Sequence, residues 1–87
     1  MRIWGKIFKD NRMLKDTVIT NNDESLNRTR KIFHSLDEIC QEFDLCKPIW
    51  LDSNIHEFQK VSKTRFTQDS FIETIDFDYL ELHVIEE

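Results

Sequence analysis

The sequence contains no alanine, one glycine (Gly5) and one proline (Pro48) in 87 residues. A single glycine cannot build a phosphate-cradling P-loop or a dinucleotide fingerprint, which need several. The two cysteines, Cys40 and Cys46, are too few for a disulfide framework. No apolar run approaches the ~18 to 20 residues of a membrane-spanning helix. Residues 1–10 lack the apolar stretch and cleavage site of a signal peptide, so a cytoplasmic chain with reduced thiols is expected. Residues 69–87 hold no Lys or Arg.

In place of the missing small residues stand ten Ile, seven Phe, seven Lys and five Asn. These types have A/T-rich codons, as expected of a low-GC, bacterial genome. The physical consequence is a core of bulky side chains. Apolar residues make up 39% and charged residues 33%, the proportions of an ordinary folded domain rather than a disordered tail. One α+β domain spanning residues 1–87 is expected, with a thin core.

Charge is uneven along the chain. Residues 1–15 carry Arg2, Lys6, Lys9, Arg12 and Lys15 against Asp10 alone, while residues 69–87 carry seven acids, within a net charge of −5. The simplest arrangement makes the first and last strands neighbours, with their charges facing each other. The alternative is an acidic surface that meets a basic partner.

Residues 1–9 and 12–20 read as the strands of a hairpin, joined at Asp10-Asn11, two types that tolerate positive φ. Gly5 would mark a bulge. From Leu26 the apolar positions Ile32, Phe33, Leu36, Ile39, Cys40 and Phe43 trace one helical stripe, so residues 23–44 form the long helix, with Asn21, Asn22 or Asp23 as its cap. Arg28, Arg30 and Lys31 come early and Glu38, Glu42 and Asp44 late, against the helix dipole, so packing must hold this helix. Residues 48–51 read as a short strand, 54–62 as a second helix capped by Asn54, and 62–70 as loop anchored by Phe66. In residues 76–85, Leu80, Leu82 and Val84 take the core face of a last strand, with Phe77, Tyr79, Glu81, His83 and Ile85 opposite. The expected order is β-β-α-β-α-β, a mainly antiparallel sheet with one long helix on one face.

No constellation carries clear chemistry. His34, Cys40, Cys46, His56 and His83 match no zinc spacing, and six residues of helix (~600°) turn His34 and Cys40 to different sides. No metal or cofactor is expected. Asp52, His56 and Asp76 are the one set a small hydrolase could use, although Asp52 and Asn54 before a helix are ordinary caps. Trp4, Lys6 and Phe8 share a strand face with Arg2. That pattern suits base stacking, but also a basic rim snorkelling from a sheet, and the acidic balance disfavours nucleic acid.

The stretches PIWLDSNIHEF (48–58) and DFDYLELHVIEE (76–87), with the opening MRIWGKIFKDN, resemble a small family of uncharacterised bacterial proteins. The resemblance implies a short cytoplasmic protein of unknown function and assigns no site residues.

The functional expectation is an interaction module or accessory subunit without catalysis, with a protein partner or self-association and no membrane. Its surface would include Phe77, Tyr79, Glu81, His83 and Ile85, together with Trp4 or Trp50 if exposed. A loop over 62–75, carrying Phe66 and Phe71, could instead fold across that face and hide it. The second functional reading is an acidic mimic of nucleic acid that uses Asp69 to Glu87 to inhibit a DNA-binding protein.

Overall fold

The computed structural model describes residues 1–87. Strands β1 (Arg2–Lys9) and β2 (Arg12–Thr20) are followed by helices α1 (Arg28–Glu42) and α2 (Asp52–Val61), strand β3 (Lys63–Phe66), a 3-10 turn (Gln68–Ser70) and strand β4 (Tyr79–Glu86). The four strands form one antiparallel sheet in the order β2-β1-β4-β3. The fold is α+β as expected, but the element order is β-β-α-α-β-β. No helix is long and apolar enough to cross a membrane.

The hairpin forms as read. Asp10 and Asn11 both take positive φ (52° and 63°), the left-handed pair that a tight antiparallel turn requires. The first and last strands are neighbours along their length, with Arg2 beside Glu86 (3.7 Å) and Lys6 beside Glu81 (3.1 Å). The bulges fall between Ile7 and Phe8 against β2, and between Arg2 and Ile3 against β4, not at Gly5. Gly5 serves a different purpose: α1 lies directly over it. A Cβ added there would stand 2.7 Å from Ile39 Cγ2.

Helix α1 starts later than its periodicity suggests. Asp23 accepts hydrogen bonds from the Ser25 amide (2.9 Å) and hydroxyl (2.6 Å), which closes a local turn and delays the helix. Asn27 is the cap, its side chain accepting from the Arg30 amide at 2.9 Å. No acid lies in the first turn and no base in the last, so the dipole is unhelped. Packing of Ile32, Leu36, Ile39 and Cys40 against the sheet holds the helix instead.

The expected strand at 48–51 does not form. Its apolar run is extended but leaves the sheet alone: Ile49 donates to Ser70 O, and Trp50 packs edge-on against Phe58 and Phe66 on the helical side. The sheet position goes to residues 63–66, expected as loop. Ser62 ends α2 with φ 56°, reversing the chain so that β3 pairs with β4. Thr64 and Phe66 then point to the core while Lys63 and Arg65 face away.

The core lies between the helices and one face of the sheet. Ile3 and Ile7 of β1, Leu80, Leu82 and Val84 of β4, and Phe66 of β3 meet Ile32, Leu36, Ile39, Phe43 and Phe58. Each such side chain contributes ~1.5–3 kcal/mol when fully buried. Phe77 belongs here too. It precedes β4, is buried, and meets Phe71 edge to face at 5.8 Å, so it does not share the outer face with Tyr79.

Candidate functional site

Both helices lie on one side, so the other face of the sheet has no layer over it. Directly opposed residues of antiparallel strands share a face, and the register therefore arranges the outer face in rows. One row runs Val18, Trp4, His83, Lys63 from β2 to β3. The next runs Asp16, Lys6, Glu81, Arg65. A third brings Met13, Phe8 and Tyr79 together.

The middle row is a ladder of alternating charge. Glu81 is held by Lys6 Nζ at 3.1 Å and by Arg65 Nε at 3.4 Å, with the Lys6 and Glu81 side chains only 12% and 8% exposed. Aromatic rings cover the ladder from both sides. Lys6 Nζ lies 3.7 Å from the Trp4 ring centre, and the Arg65 guanidinium 4.6 Å from that of Tyr79. Trp4 Nε1 donates to Asp16 at 2.8 Å, which ties the first row to the second. Phe8 and Tyr79 stack with centres 5.1 Å apart.

Of the residues expected from sequence, Trp4, Tyr79, Glu81 and His83 belong to this open face, while Ile85, exposed, sits unopposed at the register shift between Val84 and Glu86. Phe77 and Trp50 lie on the helical side instead. Glu81 is already held by two cations of its own sheet, Lys6 and Arg65. The loop that could have hidden the face does not do so: Phe66 and Phe71 are core residues and β3 extends the sheet. Sequence reasoning missed Arg65 and Lys63, whose strand it took for a loop. Their alternation with Thr64 and Phe66 is the one signal, and four residues make it a faint one.

His83 sits between Trp4 and Lys63, and its buried Nδ1 has no hydrogen-bond partner. Burial, reinforced by the Lys6 and Lys63 cations and opposed by Glu81, holds its pKa below the ordinary 6.5. The folded state thus favours the neutral ring, and the unfolded chain takes up the proton first as pH falls. Stability linked to His83 is complete above pH 6.5 and is lost progressively as pH falls toward the depressed value. His83→Gln should flatten that part of the melting-temperature profile. An NMR titration should show His83 protonating below its ordinary range, and a normal value would refute this.

Other chemistry is poorly served. Burial pushes the Cys40 thiol up to about 11, and the Glu73 carboxylate raises the exposed Cys46, so neither supplies a thiolate nucleophile at neutral pH. Asp52 and His56 are exposed on the first turns of α2. Asp76 lines a different recess of about 430 Å³, with Ile7, Leu14 and Phe43, so the three do not share a pocket. A second recess of about 280 Å³ between α1 and α2 is lined by Ile32, Phe33, Trp50, Ile55 and Phe58 under Arg28. That guanidinium is already taken by Glu87 at 2.9 Å.

No protein-family model, curated protein or solved structure matches the chain. Function therefore has to be read from the geometry of the open face.

Proposed function

We propose that the protein is a protein–protein interaction module without catalysis of its own, docking through the open face of its sheet. The observation that carries this reading is the uncovered set of Trp4, Phe8 and Tyr79, half-exposed, beside Met13, Val18 and Ile85 at 47%, 39% and 38% exposure. Aromatic anchors on rigid strands are the usual source of interface affinity, and these rings flank the charge row on a face that no other layer covers. Lys6 and Glu81 add little further desolvation cost, since their paired side chains are already buried within the monomer.

The charge geometry favours this reading over nucleic-acid mimicry. Glu81, Glu86 and Glu87 pair with cations of the same chain, and Asp78 accepts from the Asp10 amide. Too few of the terminal acids remain free to imitate a phosphate backbone. An affinity capture from the native cell with mass spectrometry, run beside light scattering on the purified protein, tests the proposal. Association that is lost in Ile85→Asp, at unchanged melting temperature, supports it. A monodisperse monomer that captures no partner sinks it, and a DNA-binding enzyme released by high salt would favour the mimic instead.

A further inference from the structure

We propose that the open face binds the same face of a second copy of this chain, about a two-fold axis that runs along the strands between β1 and β4. This rests on the interaction reading above and names its partner. The argument is charge complementarity, set by strand order. Across β2-β1-β4-β3 the ladder reads Asp16, Lys6, Glu81, Arg65, that is minus, plus, minus, plus. A half-turn about an axis along the strands reverses that order in the facing sheet. Lys6 then stands over Glu81 of the second copy, and Asp16 over Arg65 of the second copy. Every charge meets its opposite.

A two-fold axis running across the strands would set each charge on its like, so the ladder selects one of the two symmetric ways of stacking the sheets. In the flanking rows the half-turn sets Val18 over the stem of Lys63 of the second copy at the outer strands. The half-turn places Trp4 over His83 of the second copy, and Phe8 over Tyr79 of the second copy. The product is an aligned β-sandwich with the helices outside, in which side chains of the two inner faces interdigitate across ~10 Å. Sheet twist makes the outer strands diverge, so the Lys6 and Glu81 pair at the centre decides recognition.

Three strands of eight or nine residues and a fourth of four, ~4.8 Å apart with ~3.3 Å per residue, give a patch of roughly 450 Å². Specific interfaces bury about 600–1,000 Å² per partner, which puts this one at or below the lower end. The dimer is accordingly weak and concentration-dependent, with a dissociation constant in the micromolar range.

A charge exchange tests the geometry. Lys6→Glu combined with Glu81→Lys turns the ladder into minus, minus, plus, plus. Under the proposed half-turn this variant still complements itself. Against wild type, however, both central positions face like charges. Sedimentation equilibrium should therefore show wild type pairing with wild type and the exchanged variant with itself. Labelled wild type should bind the variant at least ~10-fold more weakly than it binds unlabelled wild type. A mixed pair as tight as the matched ones, or a wild type monomeric across the micromolar range, overturns the proposal.

If circular dichroism shows the exchanged variant unfolded, Asp16→Lys on the exposed edge strand takes its place. It sets a cation over Arg65 of the second copy, and several-fold weaker self-association at unchanged melting temperature is expected. Unaltered self-association counts against the two-fold. A monomer that captures a different protein through Trp4 and Tyr79 overturns this inference while leaving the interaction reading standing. A monomer that captures nothing ends both.

Discussion

Gly5→Ala is expected to destabilise the fold by about 3 kcal/mol, the upper end for forcing one methyl into a packed core. The new Cβ would stand 2.7 Å from Ile39 Cγ2 and 2.9 Å from its Cδ1, distances that real Cβ contacts do not show. Neither side can yield easily. β1 is hydrogen-bonded to β2 on one edge and to β4 on the other, and Ile39 is fully buried. For a domain of this size the melting temperature should fall by roughly 12–24 °C. Ile39→Ala removes all three atoms that crowd the site. In that background the added methyl partly fills the cavity, so Gly5→Ala should cost nothing or stabilise. Additive losses in the double variant would show that the clash is not the cause.

Asn54→Leu should cost a comparable ~2–4 kcal/mol, for the opposite reason. Asn54 is a buried polar hub. Its Oδ1 accepts from the Leu51 amide at 3.1 Å, holding the start of α2, and from Ser70 Oγ at 3.4 Å. Its Nδ2 donates to Thr64 Oγ1 at 2.9 Å and to Arg65 O at 3.0 Å, which ties α2 to β3. Leucine of similar volume leaves these groups without partners in a region closed to water. Thr64→Val removes one acceptor and leaves Asn54 its other bonds, so ~1 kcal/mol is expected. Chemical denaturation of both variants checks the ranking, and an Asn54→Leu variant no less stable than Thr64→Val would refute the hub.

Periodicity made the hairpin, α1 and β4 legible, because each buries a stripe long enough to show in the sequence. Residues 48–51 were misread since a short apolar run is ambiguous. Trp50 packs against Phe58 and Phe66 on the helical side rather than joining the sheet. β3 went unseen because four residues with one large apolar side chain carry almost no pattern. Phe77 was put on the outer face by extending the alternation of β4 two residues past its start. The open face itself was half legible: Tyr79 and His83 follow from alternation and Trp4 from its strand. That Glu81 is held from both sides depends on β3, and no local signal announces that register.

The order of the strands also sets the order of events in folding. β1 and β4 occupy the middle of the sheet, yet Lys6 and Glu81, which touch across them, lie 75 residues apart in the chain. The hairpin can close within microseconds, but its inner edge must wait for the last strand. Closing so long a loop costs chain entropy before any of its contacts form, so pairing of β4 is expected to be the slow step of folding. On a ribosome, β1 and β2 emerge early and stay unfinished until residues 79–86 leave the exit tunnel. Through that interval the inner edge of β1 is unpaired and the core face with Ile3 and Ile7 uncovered, the kind of surface that invites wrong pairing.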